Sequence, residues 1–498
     1  MSEQSLLSVL ADDELPFELI YIDIASPPDI AAAIRGHAER IGFTLHRHEG
    51  WIPPSLARRQ VLGDVKTKYV ACVDNDIVVE RGCLKTLIDC AEETNAGLVC
   101  PLYTQVGGGR APTIHMAGGE FTWSDDHELI GERHRLVGAP IEAAADLVRA
   151  PADYPEYHYL LAPTAFLADA GVVSDDIVLI HEHLDLALVA RVRGLPIIVE
   201  PKARATYVAF EPRPLRELAF YRRRWGMDAC GESVRAFKTK WLGAETTAFV
   251  ESTYDYIRTR LQEVELRRPG SAGADLDAPM TAAELAQSRT ALREQALARG
   301  YSPMEIRYIE DAAEFATLLF DGLYRPDGRP FLSHAIGTAS ALVRYELNID
   351  IVRAGLLHAA FTHRPDWMPE AELSATLANT PAMSTLVLSQ PNARAYLADA
   401  GLDIGAFNTV GAAVAAVLAA NEADMRLAGE YRATGRPAEM SPISLERIAV
   451  ALGFFGVDGL ARSAQSPGGE VMAWPLFGVE ARTSSFRLDA RNRRVLPV

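Results

Sequence analysis

Lys68-Tyr-Val-Ala-Cys-Val-Asp-Asn-Asp76 is the stretch that decides how this chain of 498 residues is read. The apolar run behind the acids fits a buried strand, being short, rich in β-branched and aromatic residues and closed by a turn signal. It stops at Asp74-Asn75-Asp76. Two carboxylates at i and i+2 on a strand end project to the same side, beyond the sheet edge. Hard divalent cations prefer such oxygen ligands. A cation held there can also hold a diphosphate and stabilise the charge that grows as a diphosphate leaves. Taken alone, the triplet also fits a solvated turn after a strand.

The flanking segments narrow the choice. Pro54-Ser-Leu-Ala-Arg-Arg-Gln-Val-Leu-Gly63 reads as a short helix just before the strand. Phe17-Glu-Leu-Ile-Tyr-Ile-Asp-Ile-Ala-Ser26 reads as an earlier strand ending in Asp23. Far downstream, His181-Glu-His-Leu-Asp-Leu-Ala-Leu-Val-Ala-Arg-Val-Arg-Gly194 opens acidic, continues with helical apolar spacing and closes on glycine. Leu195-Pro-Ile-Ile-Val-Glu-Pro201 follows as another strand.

This order resembles the family 2 glycosyltransferases of the GT-A fold, over roughly residues 1 to 240. The resemblance implies an α/β, Rossmann-like nucleotide-diphospho-sugar transferase domain. It implies that Asp23 contacts the nucleotide base and that Arg58, in Ala57-Arg58-Arg59, supports the nucleotide pocket. Asp74 and Asp76 would bind a divalent cation, Mn²⁺ or Mg²⁺, and through it the donor. Glu182 or Asp185, in Glu182-His183-Leu184-Asp185-Leu186, would be the catalytic base. Asp185 is the first choice, and Glu182 lies one helical turn away. His181 and His183 stand close enough to tune either acid. The chain departs from the family in places. It opens on Ser5-Leu-Leu-Ser-Val-Leu10, which looks like a helix where the family has a first strand. Arg59 stands where Asn is usual, His183 where a second acid is usual, and Tyr207 takes the place of a metal-binding His.

The formal net charge of −17 excludes a basic nucleic-acid footprint. No apolar run reaches the ~18 residues of a membrane span, and no basic-then-apolar leader opens the chain. Five cysteines without a C-x-x-C pair suggest reduced thiols in a cytoplasmic protein. The expected donor is a nucleotide-diphosphate sugar, and the acceptor a glycan, a lipid-linked saccharide or a protein.

A Gly-, Pro- and Ala-rich stretch, 266–282, reads as a linker between a transferase domain at 1–265 and an all-helical domain at 283–498. Thr281-Ala-Ala-Glu284 resembles a capping box. Apolar residues recur with a 3.6-residue period over 303–322, 334–347, 350–362, 408–428 and 443–455. Arg325-Pro-Asp-Gly-Arg-Pro-Phe-Leu-Ser-His334, then Ala354-Gly-Leu-Leu-His358-Ala359, then Ala420-Asn-Glu-Ala-Asp424 are similar to the HD-domain phosphohydrolases that act on guanosine tetraphosphate. That resemblance makes His334, His358 and Asp424 three of four metal ligands. The fourth position is Ala359, and the usual acidic pair is Thr362-His363. Loss of an anionic ligand leads to the expectation of a degenerate HD-like domain, serving as an accessory or as a homo-oligomerisation module. The chain is therefore expected to be a metal-dependent hexosyltransferase that inverts at the anomeric carbon. The competing readings are a non-catalytic nucleotide-binding or scaffold protein and an HD-type nucleotide phosphohydrolase.

Overall fold

The computed structural model describes residues 1–468 except 13, 108–110, 210–213, 243–246, 269–275, 379–385, 388–392, 394, 400–401 and 405–406, together with strands at 486–488 and 495–497. The chain divides into two units, Met1–Glu211 with Phe220–Leu261, and Pro212–Ala219 with Gln262–Val498.

The first unit is α/β. Its elements run α1 (Ser2–Leu10), β1 (Ile20–Ile24), α2 (Pro28–Ile41), β2 (Thr44–His48), α3 (Pro54–Val61), β3 (Tyr69–Val73), β4 (Ile77–Val79), α4 (Cys83–Thr94), β5 (Leu98–Val106), β6 (Thr113–Met116), β7 (Gly119–Trp123), β8 (Leu129–His134), β9 (Ala150–Pro151), β10 (Tyr159–Pro163), α5 (Thr164–Leu167), α6 (Glu182–Val192) and β11 (Ile197–Val208). Helices Met227–Trp241 and Thr247–Gln262 complete it. A mixed seven-stranded sheet has the order β3-β10-β5-β11-β4, with β6 added to β5 and β9 to β11. β5 and β11 run parallel, whereas β10 is antiparallel to β3. The central strand β5 is buried from Leu98 to Thr104. That explains its continuous apolar run, because a strand covered on both faces has no polar alternation to show. β1 and β2 form a separate parallel pair, and β7 and β8 a hairpin.

The opening segment is a helix, as its sequence suggests. Ser5 Oγ donates to the Asp74 carbonyl at 3.1 Å and Asn75 Nδ2 donates to Ser2 Oγ at 3.0 Å. Ser8 Oγ accepts from Val79 N at 3.0 Å. Serines at i, i+3 and i+6 share one helical face, so α1 lies along the turn that carries both acids. Asp12 then accepts from Gly82 N and Leu84 N at 2.6 and 2.8 Å. Its charge meets the positive start of α4.

The second unit is built on helices, among them Pro303–Phe320, Phe331–Arg344, Ile349–Leu356, Thr409–Leu427 and Pro442–Gly453. Thr281 and Glu284 form the capping box. Thr409–Leu427 is buried on nearly every side, which accounts for its run of alanines. Of the stretch read as a linker, 269–275 lie outside the described residues, and Leu266, Leu276 and Met280 are buried. Met280 N donates to Ser463 Oγ at 2.7 Å and the Tyr345 hydroxyl to the Ala278 carbonyl at 2.9 Å. The end of that stretch is therefore packed into the helical unit. No helix among the described residues is long and apolar enough to cross a membrane.

Candidate functional site

Strand β3 ends at Val73 because the backbone turns: Ile77 N donates to the Asp74 carbonyl at 3.3 Å, and β4 departs in a new direction. Asn75 faces solvent, while Asp74 and Asp76 are half-buried. The antiparallel partner β10 pairs Tyr159 with Val73, and Asp74 N donates to the His158 carbonyl at 3.0 Å. This register sets the His158 imidazole beside the two acids. One ligand atom from each of Asp74, Asp76 and His158 lies within 4.8 Å of the others, a spacing that suits a metal ion.

The two carboxylates differ. Arg58 of α3 donates to Asp74 Oδ1, and His158 Nδ1 lies 3.3 Å from Oδ2. Burial alone would raise the Asp74 pKa, but the Arg58 guanidinium and His158 outweigh it and hold the carboxyl below its ordinary range. At Asp76 the pull of His158 and Arg58 does not prevail. Its Oδ1 is buried without a hydrogen-bond partner. Burial, then the neighbouring Asp74 charge, push its pKa up to about 6. His158 rises to about 9, because Asp74 and Glu156 outweigh the opposing effect of burial. Two acids that repel each other, one with an orphaned oxygen, beside an imidazole, form a donor set that fits a divalent cation. Asp76 offers the open oxygen and Asp74 is already oriented by Arg58.

Tyr207 stacks on His158 with ring centroids 4.7 Å apart. The imidazole at the acids thus comes from the residue just before β10, and the tyrosine of β11 backs it. Further aromatic and acidic groups adjoin. His115 lies 5.2 Å from His158 and 5.4 Å from His134 between ring centroids. His134 Nε2 pairs with Glu156 at 3.0 Å, and His183 Nε2 lies 3.8 Å from Glu156 and 3.9 Å from Glu132. Burial opposes the charge on His183, but Glu156 and Glu132 prevail and raise its pKa to about 9.

The two candidate bases occupy different settings. Asp185 is only 2% exposed. Its Oδ1 accepts from Trp241 Nε1 at 2.6 Å and pairs with Lys240 at 2.7 Å. That carboxylate ties α6 to the helix Met227–Trp241. Glu182, the first residue of α6, has no hydrogen bond or ion pair among the described residues. Its charge is felt by Arg58, Tyr157 and His183, so it faces the side where the acids lie. Arg58 also sits over the Tyr157 ring at 4.6 Å. Of the two acids, Asp185 is engaged by Trp241 and Lys240, whereas Glu182 is left without such a partner among the described residues. His181 points elsewhere, its Nε2 3.0 Å from Thr253 Oγ1.

Asp23 lies on β1 opposite Arg47 of β2, which donates to it. Ser26 N donates to its other oxygen at 3.0 Å. A 2% exposed carboxylate so engaged shapes the β1–β2 end as much as it offers an acceptor. In the helical unit, His334 Nδ1 lies 2.6 Å from Asp424 Oδ2, and the His334 and His358 rings are 5.1 Å apart. These three come together, but Arg329 occupies both oxygens of Asp424, at 3.0 and 2.8 Å.

The sequence alone did not single out His158, Glu132, Glu156 or His134. His158 immediately precedes the apolar strand Tyr159–Pro163, and it is the antiparallel register of that strand with β3 that sets it beside Asp74.

Residues 3–143 match the family model described as glycosyl transferase family 2. The matched segment contains Asp23, Arg58, Asp74 and Asp76 and ends before His158 and Glu182. No curated protein matches the chain. A solved structure, described as the crystal structure of GalNAc-T7 with UDP, GalNAc and Mn²⁺, aligns at 12% identity and a TM-score of 0.35. It covers 51% of this chain and 51% of that one, too slight a likeness to bear on fold or function. The family match supports a glycosyltransferase domain of family 2 within the N-terminal, mixed-sheet α/β unit.

Proposed function

We propose that the N-terminal unit transfers a glycosyl group from a nucleotide-diphosphate sugar to an acceptor hydroxyl, with inversion at the anomeric carbon. The observation that carries this reading is the cluster of Asp74, Asp76 and His158 within one ion's reach, in a segment matched to glycosyl transferase family 2. Those three residues would hold a divalent cation, Mn²⁺ or Mg²⁺, which when bound neutralises a departing diphosphate. Arg58 fixes Asp74 and adds a second positive charge on the donor side. Asp23 and the β1–β2 end hold the nucleotide. Glu182 takes the proton from the acceptor hydroxyl as its oxygen bonds to the anomeric carbon. The bond from that carbon to the diphosphate breaks, and its electron pair leaves with the nucleoside diphosphate. A well-placed base contributes ~10²- to 10⁴-fold in rate. Glu132, Glu156 and His183, which lie within 4 Å of one another through the His183 ring, adjoin Glu182 and suit an acceptor with several hydroxyls.

The test is thermal stability of the whole chain with UDP- and GDP-sugars, each with and without Mn²⁺, followed by release of nucleoside diphosphate. Stabilisation that needs both metal and sugar nucleotide is expected, and is expected to vanish in Asp76→Ala. Equal stabilisation in the absence of metal, or turnover that survives Asp76→Ala, overturns the assignment.

A further inference from the structure

The helical unit encloses a charged cluster for which transferase chemistry has no use. Its centre is Arg329, whose side chain is fully buried, at 0% exposure. The turn Arg325–Arg329 places it there. Arg325 N donates to the Arg329 carbonyl at 2.8 Å, Gly328 N donates to the Arg325 carbonyl at 2.9 Å, and Gly328 takes φ +87°. Asp327 Oδ1 accepts from Arg329 N at 3.0 Å and locks the turn. From this turn both arginines enter the core. Arg325 makes a forked pair with Glu430 at 3.0 and 2.6 Å. Arg329 makes a forked pair with Asp424 and reaches Glu430 at 3.4 Å.

His334 adds its Nδ1 to Asp424 Oδ2 at 2.6 Å. Since a carboxylate oxygen accepts, Nδ1 carries the hydrogen and Nε2 is left with a lone pair. That Nε2 is buried with no hydrogen-bond partner. Burial, reinforced by Arg325 and Arg329, holds the imidazole well below its usual pKa, hence neutral. A neutral imidazole and carboxylates on separate helices are the donors a divalent ion would take. Here the charge they surround is a guanidinium. A Cβ at Gly337 would lie 1.8 Å from Asp424 Oδ1, so the helices Phe331–Arg344 and Thr409–Leu427 are fitted to each other with that forked pair in place.

A metal does not fit beside this arrangement. Both oxygens of Asp424 are already taken by Arg329. For an ion to enter, a guanidinium that is always protonated and wholly desolvated would have to leave its partners and stand as an unpaired buried charge. Among the described residues, the cluster spaced for a metal is the one in the first unit. We infer that Arg329 is the resident cation of the helical unit: its guanidinium stands where His334 and Asp424 could otherwise hold a divalent ion, so the unit folds around an arginine and takes up no metal.

The experiment counts ions in the full chain. Wild type, Asp76→Asn and His334→Ala are incubated with Mn²⁺ or Zn²⁺, desalted and measured by mass spectrometry of the metals. Wild type is expected to carry at most a single ion, lost in Asp76→Asn and kept in His334→Ala. A second ion per chain, or an ion lost in His334→Ala but kept in Asp76→Asn, overturns the inference. Arg329→Ala gives the converse. It should melt lower than wild type and regain stability on addition of Zn²⁺, whereas wild type should not respond through this cluster. An Arg329→Ala chain that folds, leaves His334 and Asp424 free and still gains nothing from Zn²⁺ would also count against a site built for a cation. Should that variant fail to fold, the ion count on the unaltered chain decides.

Discussion

Exchanging the two acids of α6 for their amides separates structure from chemistry. In Asp185→Asn the carboxylate that accepts from Trp241 Nε1 at 2.6 Å and pairs with Lys240 at 2.7 Å becomes neutral. Hydrogen bonds to charged groups contribute about 1.5–3 kcal/mol each. Lys240 is 36% exposed, so solvent screens its share, and Asn can still accept from the indole. A net loss of about 2 kcal/mol follows, or roughly 4–8 °C in the melting of a unit of this size. Turnover per folded molecule should change little. In Glu182→Gln the pattern inverts. No partner is lost, so stability should stay within about 0.5 kcal/mol, while kcat should fall by ~10²- to 10⁴-fold. The assay is nucleoside diphosphate release at saturating donor and acceptor, using the sugar nucleotide that stabilises the chain most, with melting followed in parallel. If Asp185→Asn abolishes turnover and melts like wild type while Glu182→Gln remains active, the assignment of Glu182 as base is wrong.

Calorimetry with Mn²⁺ should show binding weakened at least ~10-fold by His158→Ala, the lower bound of the effect seen even for outer-sphere partners of a metal. Unchanged affinity would remove His158 from the ligand set. Stability should depend on His181, whose pKa burial lowers to about 4. Thr253 Oγ1 donates to the Phe249 carbonyl at 2.9 Å and so receives the Nε2 hydrogen of a neutral ring. Because the folded pKa lies below the unfolded ~6.5, this stability is full above pH 6.5 and declines as pH falls toward 4, by about 3 kcal/mol in all. Denaturant melts of His181→Gln should show a shallower acid slope over that window, and an unchanged slope would refute the neutral buried ring. Gly337→Ala should destabilise the helical unit by ~1–3 kcal/mol through overpacking against Asp424. A melting curve like wild type would show that the two helices can part without cost.

The strands and helices that position the acids were legible because their signals are local. Tyr69–Val73 is apolar and closed by a turn, Pro54 opens α3, and in the second unit the buried residues of Pro303–Phe320 follow a helical period read directly from its sequence. The serines of α1 also lay in view, although nothing in a helical pattern says which turn the helix will cover. His158 could not be read this way. It is 84 residues from Asp74, and only the antiparallel pairing of β10 with β3 makes the two neighbours. The same limit applies to Asp185. The resemblance to family 2 glycosyltransferases offers it as a base, but the partners that immobilise it, Lys240 and Trp241, lie at the end of a helix some fifty-five residues on.

Arg329 carries the point one step further, because it inverts what its neighbours suggest. The resemblance to HD-domain phosphohydrolases offers His334, His358 and Asp424 as metal ligands, and each has a suitable donor atom. What decides their role is a cation supplied from the same chain, two residues beyond Asp327, in a turn that the sequence marks only as Pro-Asp-Gly. A metal site needs its carboxylate lone pairs free, and here they are satisfied by a forked pair at 3.0 and 2.8 Å. In the first unit the comparable oxygen, Asp76 Oδ1, is buried and unpartnered. The contrast between a satisfied and an unsatisfied buried carboxylate, rather than the presence of acids and histidines, is the ground on which we propose cation chemistry for one unit and not for the other.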